Sequence, residues 1–267
     1  MNISSTHLRI YTAGVLILMI SWMVQLPTAY IVVILMGVGG VAVAELGSLC
    51  YESCGLGQNH RSSKFRMTCL ISAMAACILC VVQQDWTPQT LAYLSWILLF
   101  WAITNIIMTN HVLQEVKIWR WINNGLMTIT VALSGLAFTK MHAQYHTELL
   151  TIISLTALSD SAGYVCGKLF GKIRVFKTIS PSKTEFGTLA MLLIPASVTF
   201  CLPAAFCGRY RSMLYAVGAI SLVGDLWMSQ LKRSARKKDT GSILPGHGGI
   251  LDRLDSHILV LATLAIF

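Results

Sequence analysis

The chain has 267 residues, of which 55% are hydrophobic and only 12% charged, and its mean hydropathy is +0.67. That is far more apolar surface than one soluble core takes up, which excludes an ordinary water-soluble domain and leaves no room for a separate one. A formal net charge of +9 invites a nucleic-acid reading, but the basic clusters lie between apolar runs without interleaved aromatics, so topology and anionic headgroups account for it.

A spanning helix takes about 20 mostly apolar residues. Such runs fall at 10–25, 28–49, 68–84, 90–109, 121–139, 147–170, 188–207 and 213–231, with a short tail at 256–267. The expected architecture is therefore all-α: a polytopic integral membrane protein of about eight or nine transmembrane helices. It forms one domain over residues 1–267, with the distinctive chemistry in 151–267 and less specific helices in 1–150. No cleavable signal peptide is expected, because the first run lacks a basic flank and a small-residue cleavage site. The eight cysteines are scattered and read as small buried hydrophobes. Cys77 and Cys80 have metal spacing but sit in ACILCVV without polar company.

Lysine and arginine give the sidedness. The loops after the second, fourth, sixth and eighth runs hold Arg61, Lys64, Arg66; Lys117, Arg120; Lys172, Arg174, Lys177, Lys183; and the basic C-terminal cluster. The opposite loops hold only Lys140, Arg209 and Arg211. By the positive-inside rule the first set and the N-terminus face the cytoplasm.

Three acids interrupt apolar runs: Glu45, Asp160 and Asp225. A carboxylate at membrane depth costs about 2.5–3.5 kcal/mol even on the lenient insertion scale, so each should face a polar cavity or a partner. Glu45, near the end of its run, reads first as a helix-to-helix hydrogen bond. Asp160 opens DSAGYVCGKLFGK, where Gly163, Gly167 and Gly171 make one smooth face for close helix packing and Lys168 and Lys172 mark the exit from the membrane. The next loop carries Ser180-Pro181-Ser182-Lys183-Thr184, a turn offering donors to phosphate. Gly37-Val38-Gly39-Gly40 reads as helix packing, and His142 and His146, although at i, i+4, read as solvated loop histidines.

Asp225, Ser229, Lys232 and Arg236 form one helical stripe from membrane depth to the cytoplasmic end, suited to a metal inside and phosphates entering from water. Then come Lys237-Lys238-Asp239-Thr240-Gly241 and the turn Pro245-Gly246-His247-Gly248-Gly249, whose glycines let backbone approach a ligand and present N–H groups to phosphate. Asp252 and Asp255 follow with Arg253 between them, and carboxylates of this kind hold Mg²⁺ through oxygen.

The run from Ser229 through Lys232-Arg233 and Lys238-Asp239 to His247-Gly248-Gly249 and Asp252-Arg253-x-Asp255 resembles the signature of the phosphatidate cytidylyltransferases, or CDP-diacylglycerol synthases, at every fixed position. Asp225 is similar to the acidic position preceding that signature, Asp160 to Lys172 to the family's Asp-Thr-Gly-Ala-Tyr segment, and Ser180 to Thr184 to its Ser-Pro-x-Lys-Thr loop. The likeness covers roughly residues 155–260. One departure is Lys183-Thr184-Glu185-Phe186-Gly187, where the family reads Lys-Thr-Trp-Glu-Gly; Glu185 is left out of the site for that reason.

The resemblance implies conversion of CTP and phosphatidic acid into CDP-diacylglycerol and pyrophosphate, with Mg²⁺ and K⁺ as a candidate second cation, in a polar cavity open to the cytoplasm. The expected catalytic set is Asp225, Ser229, Lys232, Arg233, Lys238, His247 and Asp252, with Asp225 and Asp252 on the metal. Substrate contacts are expected from Asp160, Lys168, Lys172, Ser180, Lys183, Asp239, Gly248, Gly249, Arg253 and Asp255. The lipid bilayer is the expected surroundings, a bacterial inner membrane the expected location and a homodimer a candidate assembly; no nucleic acid is expected. The competing readings are another CTP-dependent membrane lipid kinase or cytidylyltransferase and, more remotely, an ion-coupled transporter.

Overall fold

The computed structural model describes residues 25–53, 100, 102–103, 117–243 and 248–264. The expected run at 68–84, nearly all of those at 10–25 and 90–109, the Cys77 and Cys80 pair and His247 lie outside the described residues. Within them the chain is helical: α1 (Thr28–Ser53), α2 (Lys117–Gln144), α3 (His146–Phe170), α4 (Glu185–Cys201), the short α5 (Ala204–Cys207), α6 (Arg211–Ser234) and α7 (Leu251–Thr263). Among the described residues, four stretches are long and apolar enough to cross a membrane: Thr28–Cys50, Trp119–Gln144, His146–Phe170 and Ala205–Ser234.

The run expected over 188–207 is not one helix. α4 stops at Cys201, and Leu202 is extended (φ −71°, ψ 136°) because Pro203 crowds the helical conformation of the residue before it. α7 begins at Leu251, five residues ahead of the expected tail, so that Asp252 and Asp255 lie on the first turns of a helix. The expected stripe on α6 also ends early. Arg236 has φ 55°, and the Arg236 and Lys237 N–H groups donate to the Arg233 and Lys232 carbonyls at 2.9 Å each. This is a Schellman closure with arginine where glycine is usual, and it turns Arg236 off the helical face.

Buried Trp227, Leu46, Met127, Leu149, Ile152, Met213, Leu214, Leu251 and Leu259 belong to one apolar core shared by α1, α2, α3, α6 and α7. The Trp227 indole N–H donates to Asn123 Oδ1 at 2.9 Å, tying α6 to α2. Helix ends sort as the charge pattern expects. Arg120 donates to the Ser53 carbonyl, while Thr184 lies against Gly167, and Lys237 pairs with Glu52, all at the end that carries the signature. At the other end Thr28 meets His142, and Tyr145 meets Tyr210. His142, expected in a solvated loop, instead lies on α2 stacked beside Phe138, its ring 5.1 Å from that of His146.

The glycine stripe of α3 is a close-packing seam filled by α4. A Cβ at Gly163 would come within 2.4 Å of the Met191 side chain, and one at Gly171 within 2.1 Å of Thr184 Oγ1. At Gly187, on the facing side, the obstacles are backbone: Gly163 O at 2.7 Å and Gly167 Cα at 3.1 Å. Because α4 occupies this face, it offers no seam for the expected homodimer. Among the described residues nothing lies within 4 Å of a Cβ built at Gly37 or Gly39, so the packing expected of those two glycines is not made there. Gly187→Ala should cost about 1–3 kcal/mol by forcing α3 and α4 apart, read as a lower unfolding midpoint of the purified protein in detergent.

Candidate active site

Three elements converge where α6 leaves the apolar core. The loop after α3 returns as a narrow turn: the Val175 N–H donates to the Lys183 carbonyl and the Glu185 N–H to the Ile173 carbonyl, each at 3.1 Å. Thr184 then caps α4, its hydroxyl accepting from the Gly187 N–H. This closure places the Lys183 ammonium 2.6 Å from Asp225 Oδ2 on α6, and the Ser229 hydroxyl, one turn on, donates to Asp225 Oδ1 at 3.3 Å.

One turn further, the Lys232 ammonium lies 2.9 Å from Asp252 Oδ1 and 4.0 Å from Asp255 Oδ2 on α7. Asp160, on α3, accepts from the Ser221 hydroxyl at 3.2 Å and lies near Ser256 and His257. Asp160, Asp225 and Asp255 are close enough for their charges to repel one another. These three acids face the Lys183 and Lys232 ammonium groups, and a cation bound among them would relieve their mutual repulsion.

Asp252 is the most heavily held side chain of the group. Besides Lys232 on Oδ1, its Oδ2 accepts from the Thr240 N–H at 2.8 Å, the Gly249 N–H at 2.9 Å and the Thr240 hydroxyl at 3.0 Å. Burial alone would raise its pKa, but the Gly249 N–H, the Lys232 charge and the Thr240 N–H outweigh it and hold the carboxyl below its ordinary value. Gly248 has φ 83°, and a Cβ there would come within 2.7 Å of Asp252 Oδ2. The glycine turn expected to offer N–H groups to phosphate thus gives the Gly249 N–H to Asp252, because the missing side chains let the carboxylate close on the backbone.

The other expected residues fall around this centre. Ser180 is buried in the turn that precedes Lys183, and its carbonyl accepts from the Lys183 N–H at 3.1 Å. Arg233 braces two loops, donating to the Ile179 carbonyl at 3.3 Å and the Lys237 carbonyl at 3.1 Å. Lys238, Asp239 and Arg253 are exposed at the rim, with Asp239 beside Gly248. Lys168 and Lys172 stay outside the cluster; both are exposed, and the Lys168 ammonium sits 5.9 Å over the Tyr164 ring.

Glu45, read from the sequence as a helix-to-helix hydrogen bond, makes one to the start of α7, but its place beside Asp252 was not foreseen. Glu45 of α1 accepts from the Thr240 hydroxyl at 2.9 Å, the Ile250 N–H at 3.0 Å and the Leu251 N–H at 3.1 Å. The acid was visible as an interruption in an apolar run, but its partners lie about two hundred residues away. Ser221 was legible too, four residues before Asp225 on the same stripe.

Among the described residues no three His, Cys, Asp or Glu side chains converge to hold an ion unaided. Mg²⁺ is commonly held by one or two carboxylates, with water and phosphate oxygens filling its shell. The donor set therefore suits that ion in company with a phosphate-bearing ligand.

Residues 7–267 match the Cytidylyltransferase family. A phosphatidate cytidylyltransferase of Staphylococcus epidermidis is 30% identical over 205 residues, 74% of this chain and 77% of that protein. Proteins of the same description from Pseudomonas aeruginosa (31% over 169 residues, 60% of this chain and 62% of that protein) and Staphylococcus haemolyticus (32% over 175 residues, 62% and 66%) are also similar. The chain spans slightly less than two thirds of the length of these last two relatives.

The depressed pKa of Asp252 has a sign that can be measured. Its contribution to stability is present above the ordinary carboxylate value of 3.8 and is lost as pH falls through the lower folded value. Asp252→Asn should therefore flatten the acid limb of the stability profile below about pH 4 and leave the profile's slope unchanged between about pH 6 and 8, read by thermal unfolding across pH.

Proposed function

The chain belongs to the cytidylyltransferase family, and from that premise we propose that it is a phosphatidate cytidylyltransferase, making CDP-diacylglycerol and pyrophosphate from CTP and phosphatidic acid. The observation that carries this reading is the meeting of Lys232 on α6 with Asp252 on α7, beside the Lys183–Asp225 pair. Two ends of the signature and the separate Ser-Pro-x-Lys loop converge on one charged, largely buried centre. The relatives named above support the choice of lipid substrate.

The chemistry asks little of a general base. A phosphate monoester has a second pKa near ~6, so phosphatidate is already largely an oxyanion at neutral pH. One of its phosphate oxygens attacks the α-phosphorus of CTP, and the bond from that phosphorus to the bridging oxygen breaks, releasing pyrophosphate. The difficulty is bringing two polyanions together, and Lys183 and Lys232 supply positive charge at the centre, with Arg233 and Lys238 at the rim. Asp225 and Asp252 would hold Mg²⁺, with K⁺ as a second cation, and the ion would supply charge neutralisation at the CTP phosphates. Asp160 and Ser229 orient groups within the site. Gly248 and Gly249 shape the turn that brings Asp252 into it, Asp239 and Arg253 line its mouth, and Asp255 sits in the centre beside Lys232. His247, outside the described residues, is assigned either a hydrogen bond or a proton to phosphate, or a turn-stabilising role.

This reading includes a single transmembrane domain of eight or nine spans, an N-terminus and site facing the cytoplasm, and a bacterial inner membrane as its location. The sorting of basic helix ends toward the signature supports the sidedness. Phosphatidate enters sideways, its tails remaining in lipid.

Purified protein given CTP labelled at the α-phosphate and phosphatidic acid should transfer label to lipid, and omitting phosphatidate or chelating divalent cations should abolish transfer. Label in lipid only from γ-labelled CTP would instead mark a kinase. Asp225→Asn should lower the rate at least about 100-fold; an unchanged rate would remove Asp225 from the metal.

A further inference from the structure

We propose that Glu45, on a helix outside the signature, is a positioning residue that sets the Asp252 turn for CTP. The proposal rests on the reading above and concerns how the same centre is held. Glu45 is 5% exposed and spends both carboxylate oxygens on the segment carrying Asp252. Oε1 accepts from the Ile250 N–H at 3.0 Å, and Oε2 from the Leu251 N–H at 3.1 Å and the Thr240 hydroxyl at 2.9 Å. The preceding N–H, that of Gly249, goes to Asp252. Three consecutive backbone N–H groups are thus divided between an acid of α7 itself and an acid of α1.

Thr240 links the two acids. Its oxygen lies 2.9 Å from Glu45 Oε2 and 3.0 Å from Asp252 Oδ2. A hydroxyl has a single proton to donate, so the two carboxylates share it, and a shift of one alters the hold on the other. The glycines fit this arrangement. A Cβ at Gly249 would lie 2.2 Å from Thr240 Oγ1 and 2.4 Å from Glu45 Oε2, and one at Gly241 would lie 2.7 Å from Glu45 Oε1. The turn is glycine-rich where Glu45 enters it. A negative charge at the start of α7 is also favourable to the helix dipole, yet a simple cap would need no hydroxyl shared with a catalytic carboxylate.

A second bridge from α1 to the same loop supplies the control. Glu52 and Lys237 pair at 2.7 Å, but their side chains are 38% and 41% exposed, so water already screens them. Breaking that pair tests whether any loosened tie to α1 has the same effect.

The test uses the full-length protein in detergent, with kcat and separate KM values for CTP and phosphatidate, and thermal unfolding for each variant. Glu45→Gln places an amide NH₂ against backbone donors and should lower kcat/KM for CTP at least tenfold, with KM for phosphatidate within twofold of wild type. Glu45→Asp, which keeps the charge, should recover part of the loss. Thr240→Val should give a similar CTP-selective loss, and the double variant should be no worse than the weaker single variant, because both act through one turn. Glu52→Gln should leave kcat and both KM values unchanged. If Glu45→Gln does not fold, Thr240→Val with Glu45→Asp carries the same test. Wild-type kinetic constants in Glu45→Gln, or a lowered unfolding midpoint with both KM values and kcat intact, would overturn the proposal. Inactive wild-type protein would instead overturn the cytidylyltransferase reading on which it rests.

Discussion

Asp252 cannot be charged among apolar helices without donors close at hand, and much of the C-terminal architecture serves that need. A buried carboxylate left with an unmet partner costs several kcal/mol. Lys232, two backbone N–H groups and the Thr240 hydroxyl meet it here. They can do so only because α6 delivers Lys232 at the right height and the glycine turn lets backbone approach the carboxylate. α7 has its first turn fixed at the same point by Glu45.

The Lys183–Asp225 pair repeats the pattern two turns deeper. Its lysine comes from a loop whose geometry depends on α3 and α4 approaching through Gly163, Gly167 and Gly187. Close helix packing, which looks purely structural, therefore decides whether the loop lysine reaches α6. A larger residue at the seam would act at the site through Lys183, without touching any ligand.

Much of the fold was legible. A period of about 3.6 residues and an apolar run of helical length are local properties, so α1, α2, α3 and α6 appear where hydropathy places them. The break at Leu202 follows from Pro203, also local, although hydropathy averaged over it. The early start of α7 was hidden because Leu251 to Asp255 is rich in charge; Asp252 and Asp255 face Lys232, which comes from another helix. The exit of Arg236 from the α6 stripe was hidden as well, since arginine gives no sign of the positive φ that ends the helix.

The sequence by itself determined the membrane character and, through the spacing of Ser229 to Asp255, the family and its charged residues. Each depends on composition or on spacing along the chain. Tertiary structure alone decided which acid meets which base: Lys183 with Asp225, Lys232 with Asp252, and Glu45 with Thr240 and the start of α7. Those pairings join residues 20 to 206 positions apart, and hydrogen bonds and ion pairs act over a few ångströms of space whatever the separation in sequence.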